Sequence, residues 1–309
     1  MSHALPTPGL LPAIPSLRRR SLLALGLGLG LGLLPACALD PDEDHHGGDA
    51  PDTQPLRKSP RTAWVFSSGG PRGFVHVGVI KALDELGLVP DLIVGASVGA
   101  AVGILRAAGR KGLQIEALAL DLQPVLLTRL TLGGSGRFSG SAVADWLRAQ
   151  TGHRLLEQLA IPAVCVVQRL ADAAVLGWNR GDLGLAVQAA CAIEGQFAPV
   201  RVRGQRFADA DGVAPLPVRL ARALGASRVL AVDASAHEDR APPGTERWRA
   251  GDLRKRMLTR PDAALADLVL QPEFGYYASI SREYRARAIA AGYRDVMAAA
   301  AAIRALHAA

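Results

Sequence analysis

Cysteine is scarce: Cys37, Cys165 and Cys191 are the only three in 309 residues. That excludes a small scaffold stapled by disulfides. Aromatic residues make up only 5% of the chain, which argues against a nucleic-acid-stacking surface. Lysine is nearly missing, with 4 Lys against 31 Arg, a compositional bias of the source more than a functional sign. Long apolar runs are also missing, apart from one near the N-terminus, so a multi-span membrane protein is excluded. No Cys, His, Asp or Glu cluster has the spacing of a zinc or haem site, and no metal or cofactor is expected. Fully disordered chains are excluded too, because half of the residues are hydrophobic and the net charge is a modest +7. The length suits one large domain or two small ones.

The charge is unevenly spread. Residues 1–36 carry only Arg18, Arg19 and Arg20, residues 38–60 hold a net −4, and residues 61–309 hold +8. A basic body suits an anionic membrane surface or nucleic acid, and the plainer reading is a solvated Arg-rich surface.

The three arginines precede an uncharged Leu/Gly/Ala run, Ser21 to Ala36, that ends in Leu34-Pro35-Ala36-Cys37. A basic start, a short apolar stretch and a small residue before a cut make a signal peptide over 1–36. The run is shorter than the ~20 residues of a membrane span. Leu-x-Ala-Cys resembles a bacterial lipoprotein signal, which implies that Cys37 becomes a lipidated N-terminus. Arg19-Arg20-Ser21-Leu22-Leu23 resembles a twin-arginine export motif, so either export route remains open. The glycines at 26, 28, 30 and 32 imitate a dinucleotide loop, but no strand precedes them. Residues 37–61, rich in Asp, Pro and Gly, are expected to be a lipidated Cys followed by a flexible acidic tether.

From Thr62 onward strands and helices alternate. Ala63-Trp64-Val65-Phe66 is a short apolar strand ending in Ser67-Ser68-Gly69-Gly70. Phe74 to Leu86 has helical spacing, and Leu92-Ile93-Val94 is a second buried strand. A helix over 100–108 follows the turn Gly95 to Gly99. Strands are expected over 161–168, 173–178 and 229–233, with a helix over 183–192. This alternation predicts an α/β fold, a three-layer sandwich with a mostly parallel central sheet.

Gly95-Ala96-Ser97-Val98-Gly99 fits Gly-x-Ser-x-Gly between a strand and a helix. That is the pattern of a nucleophile elbow, with Gly95 and Gly99 sparing the tight turn from side-chain clashes. Gly69-Gly70-Pro71-Arg72-Gly73 closes the preceding strand, and its amides suit an oxyanion hole shared with Val98 N–H. Pro71 has no N–H, which leaves Gly69, Gly70 or Arg72 as loop donors.

On these residues, from Ser68 to Gly109, the chain resembles the patatin-like phospholipase family. The Gly-Gly-x-Arg-Gly loop, the helix with His76 and Gly78, and the serine elbow occur in the family's order. The resemblance implies a serine lipid acyl hydrolase that uses a Ser–Asp dyad without His. It implies a membrane lipid or other acyl ester as substrate. The family's Asp lies before a Pro-Val segment, and here two registers are open. Counting back from Pro217-Val218 gives Asp209, which we prefer, while the local Asp-Gly pair gives Asp211. Ala210 stands where the family has Gly, and Glu194 stands where Pro is common.

A Ser–His–Asp triad is the competing mechanism, with His76, His153 and His237 as candidates, His307 being at a frayed end. For His76 packing is the plainer role. Arg72 either orients the loop or binds a head-group phosphate. Cys165 and Cys191 either pair or are buried thiols. Arg247-Trp248-Arg249 and Arg254-Lys255-Arg256 either touch anionic lipid or form a solvated helix face. The alternatives for function are another acyl-transfer enzyme on the same fold (thioesterase, small-ester esterase or acyltransferase) and a lipid-anchored binding protein with a decayed site. No nucleic-acid partner is expected. The expected location is the cell envelope, lipid-anchored and facing the periplasm, with the outer membrane favoured because Ala38 rather than Asp follows Cys37.

Overall fold

The computed structural model describes residues 43–123, 129–130 and 138–308. The expected signal segment and Cys37 lie outside the described residues. In chain order the elements begin with β1 (Asp44–His45), β2 (Thr62–Phe66), α1 (Phe74–Glu85), β3 (Leu92–Ala96) and α2 (Val98–Ala107). They continue with α3 (Gly112–Asp121), β4 (Arg129–Leu130), β5 (Phe138–Ser139), α4 (Ser141–Thr151), β6 (Ala163–Arg169) and β7 (Val175–Trp178). Then come α5 (Leu183–Ala190), β8 (Val200–Val202), β9 (Gln205–Asp209), α6 (Val218–Ala223) and β10 (Arg228–Val232). The chain closes with α7 (Glu246–Ala263), β11 (Leu268–Leu270), α8 (Arg282–Ala298) and α9 (Ala300–Ala308).

Among the described residues nine strands form the main sheet, in the order β1-β8-β9-β6-β3-β2-β10-β11, with β7 on the other edge of β6. The run β6-β3-β2-β10-β11 is parallel. Strands β7 and β9 pair antiparallel with β6. Away from their ends the central strands are apolar on both sides because both sheet faces are covered. Successive residues feed different cores. Trp64, Phe66, Ile93, Cys165, Val167, Leu230 and Val232 enter one, packed with residues of α1, α2, α5 and α8. Ala63, Val65, Leu92, Val94, Val164, Val166, Val229 and Ala231 enter the other, with Val218 and Ala221 of α6. This period of two converts five short strands into a three-layer sandwich.

Two glycines set the spacing of the first layer. A Cβ on Gly78 would lie 1.8 Å from Ile289 O, and one on Gly292 would lie 2.1 Å from Val75 O. Helices α1 and α8 therefore touch backbone to backbone. The C-terminal helix α9 is docked as well. His307 is buried, not frayed, and its Nε2 accepts the Trp64 Nε1–H at 3.0 Å.

The expected tether is different from residue 43 on. Strand β1 pairs with β8, and Asp44 accepts the Gly204 N–H at 3.0 Å. Asp52 N–H donates to Arg180 O at 3.1 Å, and Ala50, Pro51 and Pro60 are buried. The folded unit thus includes the nearly twenty described residues before Thr62. The composition of 43–61 is polar, but its backbone finds partners on the body, which composition does not reveal.

Candidate active site

Ser97 sits between β3 and α2 with φ 53 and ψ −127, a conformation that L-residues adopt only under strain. The turn is closed by the two glycines around it. A Cβ on Gly95 would lie 2.5 Å from Ala100 N, and one on Gly99 would lie 2.4 Å from Phe66 O. Both contacts are with backbone, so neither position tolerates a side chain. Ser97 itself is 5% exposed.

The sheet register brings Asp209 to Ser97. Strand β7 occupies one edge of β6 from Cys165 to Gln168. Both β3 and β9 must therefore use the other edge. There Ala96 is opposite Val166 and Asp209 is opposite Val167. The residue that leaves β3 therefore meets the residue that ends β9. Asp209 is 7% exposed. Its Oδ1 accepts the Asp211 N–H at 2.9 Å, while the buried Oδ2 takes no hydrogen bond. Burial pushes the Asp209 carboxyl up to about 7; the adjacent Ser97 hydroxyl opposes that shift and the Asp211 charge adds to it.

Asp211 faces another way. Its Oδ1 accepts from Lys255 Nζ at 2.8 Å and from the Ser68 hydroxyl. Burial raises the Asp211 carboxyl, but Lys255 and Ser68 outweigh it and hold the group below the usual carboxylate range. Of the two registers open in the sequence, Asp209 is the carboxyl beside Ser97. Asp211 carries the charge that flanks it.

The glycine-rich loop lies against the elbow. A Cβ on Gly73 would lie 2.2 Å from Val98 Cγ1, and one on Gly69 would lie 3.0 Å from Ala234 Cβ. Gly70 has φ 51. Arg72 N–H is already given to Gly69 O at 3.0 Å, which removes it as an oxyanion donor. The N–H groups of Gly69, Gly70 and Val98 have no backbone acceptor among the described residues. The first-turn amides of α2 add the positive end of a helix dipole at Val98.

Arg72 orients this loop. Its Nε donates to Ala234 O at 3.1 Å, and its Nη1 to Gly275 O at 2.9 Å and Tyr276 O at 3.2 Å. The guanidinium also lies 4.5 Å from the centre of the Phe274 ring. It is buried, so the head-group reading of Arg72 is replaced by a clamp on the loop.

Among the described residues no histidine takes the place of the base. His76 Nε2 contacts Ser67 O at 2.9 Å, and burial pushes the imidazole down to about 4, so the ring is neutral and donates to that carbonyl. His237 Nε2 lies 3.1 Å from Gln271 O. Cys165 and Cys191 are both free thiols. Cys191 lies beside the Ser97 hydroxyl, and burial raises its thiol well above its ordinary value, assisted by Asp209.

Two of these neighbours carry no local signal in the sequence. Lys255 looked like one of several surface bases, and nothing local connects it to Asp211 in a different element. Cys191 reads in the sequence as a cysteine at a helix end that either pairs with Cys165 or is a buried thiol.

An α/β sandwich with a strained serine elbow, a glycine-rich loop and a buried carboxyl is a recognisable class of architecture. The chain belongs to the patatin-like phospholipase family, whose model matches residues 64–222. An uncharacterized NTE family protein of Mycobacterium tuberculosis is 34% identical over 198 residues, covering 62% of this chain and 55% of the relative. Patatin-like phospholipase domain-containing protein 6 of Homo sapiens is 30% identical over 187 residues, 57% of this chain and 14% of that protein. The chain thus matches about half the length of the mycobacterial relative and a small part of the human one. The fold is similar to that of VipD from Legionella pneumophila, with a TM-score of 0.53 at 13% identity, covering 83% of this chain and 70% of that one.

Proposed function

We propose that this chain is a serine-dependent lipid acyl hydrolase of the phospholipase A or lysophospholipase type, with Ser97 and Asp209 as its dyad. The observation that carries the reading is the strained Ser97 beside a buried carboxyl that titrates near 7 and has Oδ2 unpartnered. A serine hydroxyl needs a base to become a nucleophile, and a base titrating near the working pH is matched to that task.

In the first step Ser97 Oγ bonds to the ester carbonyl carbon and its proton passes to Asp209. The carbonyl oxygen becomes an oxyanion that the Gly69, Gly70 and Val98 amides, which have no backbone acceptor among the described residues, would hold. The tetrahedral species collapses, and the leaving alcohol takes the proton from Asp209. Water then repeats the sequence on the acyl-enzyme. It gives one proton to Asp209, releases the fatty acid and restores the Ser97 hydroxyl.

We place this activity in the cell envelope. Residues 1–36 would act as the export signal, and lipidated Cys37 would hold the enzyme on the periplasmic side of a membrane, the outer membrane favoured.

Fluorophosphonate labelling of the full chain tests the chemistry. Wild type should label and Ser97→Ala should not, with an unchanged melting temperature. Asp209→Asn should lower kcat on an acyl ester by about 10²–10⁴-fold, and Asp211→Asn far less. A folded wild-type chain that fails to label, or a larger loss at Asp211, would overturn the assignment.

A further inference from the structure

Helix α7 runs from the end of β10 to the start of β11. Those strands are parallel, so its first turns lie at the carboxyl end of the sheet, where Ser97 is. One stripe of the helix faces the site. At 3.6 residues per turn Trp248, Asp252, Lys255, Thr259 and Asp262 fall within about 40° of one line. Thr259 and Asp262 are buried, and Asp252 accepts the Tyr276 hydroxyl at 2.5 Å. Lys255 reaches Asp211 and, at 3.0 Å, Ser68 Oγ. Leu253 and Met257 point away from this stripe.

Trp248 lies two turns before Lys255, about 10 Å farther out along the axis on the same stripe. It is 58% exposed. Edge-on to it, with ring centres 6.3 Å apart, is Tyr277, itself 59% exposed. The pair is tied to the site twice. Tyr276, the neighbour of Tyr277, donates its hydroxyl to Asp252 and accepts the Arg72 Nη1–H on its carbonyl at 3.2 Å, and Arg72 belongs to the glycine-rich loop. Lys255 holds Asp211, whose N–H is given to Asp209 Oδ1 beside Ser97. A continuous set of contacts thus leads from Ser97 to two open aromatic rings.

We propose that Trp248 and Tyr277 form the acyl-chain wall of the site, the surface along which the fatty chain of the substrate runs outward from an ester carbonyl at Ser97. The inference rests on the hydrolase reading above and adds the residues that select a long acyl group. Aromatic rings stabilise an apolar ligand by removing its surface from water. Two of them offer about 300–500 Å² together, short of the ~800 Å² that each side of a stable protein interface buries, but suited to a single chain. An acetyl group ends at the carbonyl. Only a long chain, such as dodecanoyl, extends outward by about the 10 Å that separates Lys255 from Trp248. Neither ring lies within residues 64–222, where the family model matches.

Acetyl and dodecanoyl esters of one soluble alcohol, kept below micelle formation, test the wall by kinetics. Wild type should favour the dodecanoyl ester in kcat/KM. Each methylene that the rings cover contributes about fourfold, so two or three give about fifteen- to sixtyfold. In Trp248→Ala with Tyr277→Ala the dodecanoyl-to-acetyl ratio should fall by that factor. Trp248→Phe with Tyr277→Phe should retain most of it. An unchanged ratio, or an equal loss on both esters, would overturn the wall.

A binding measurement separates this inference from the chemistry. The full chain carrying Ser97→Ala is titrated with monomeric brominated stearate while tryptophan emission is read. Trp64 and Trp178 are buried and Trp146 is half-buried, whereas Trp248 is exposed beside Tyr277. We expect quenching that is lost in Trp248→Phe and weakened in Tyr277→Ala. Quenching that persists in Trp248→Phe would put the fatty chain elsewhere and overturn the wall. Absence of quenching, when the Ser97 chain labels with fluorophosphonate, would overturn the wall and leave the hydrolase reading standing. Quenching when the Ser97 chain does not label would remove the hydrolase reading and keep the rings as a fatty-acyl site.

Discussion

Asp209→Asn should remove a pH-dependent cost that the wild-type protein carries for its site. Below pH ~4 Asp209 is protonated in the folded and the unfolded chain, and the residue costs nothing. Between about 4 and about 7 the unfolded chain has released this proton while the folded chain still holds it. The folded state then binds more protons, so each pH unit lowers stability by about 1.4 kcal/mol. Above 7 both states are ionised, and the accumulated cost levels off at about 4 kcal/mol. His76 has the opposite sign, since burial pushes it down to about 4. Its neutral form is favoured on folding, so stability rises by about 3 kcal/mol as pH climbs from ~4 to ~6.5. In wild type the two slopes nearly cancel over that window, and a single pH profile would hide both. The difference between variant and wild type isolates Asp209. Asparagine keeps an oxygen for the Asp211 N–H and carries no charge. Urea unfolding at a series of pH values should show the variant gaining about 4 kcal/mol on wild type between pH 4 and 8. Parallel stability curves would refute the elevated titration of Asp209, and with it the matched-base argument.

Two further outcomes follow from the charges and from the N-terminus. Lys255 lowers the Asp209 titration and Asp211 raises it. The rising limb of the pH–rate profile, which follows ionisation of the base, should therefore move to higher pH in Lys255→Met and to lower pH in Asp211→Asn. Shifts in the same direction would refute the network. Cys37→Ser should move the chain from the membrane fraction to the soluble fraction if the lipid on Cys37 is its anchor, and unchanged fractionation would remove that anchor.

Much of the architecture was legible because the signals are local. Five short apolar runs and the helices between them announced a covered, mostly parallel sheet; four of the runs are parallel strands and the fifth, 173–178, is the antiparallel β7. The helix expected to begin at Ala100 begins at Val98, because the first turn grows directly out of the Ser97 elbow. Gly95 and Gly99 marked that elbow for the same reason that the structure needs them: a Cβ at either would strike backbone. The docked segment 43–61 was not legible. Its polar composition describes a solvated chain equally well, and only its strand partners on the body reveal that it is fixed.

By itself, the sequence determined the period-two strands, the serine turn, the glycine loop and a short segment containing two candidate carboxyls. Each of those depends on residues close together along the chain. Tertiary structure decided between Asp209 and Asp211, because that choice depends on β3 and β9 meeting end to end on one edge of β6. It also decided that Arg72 clamps the loop, that His76 stays neutral, and that Lys255 joins the site from a distant helix. Burial and charge are properties of what packs around a group, and the groups packed here come from opposite ends of the chain.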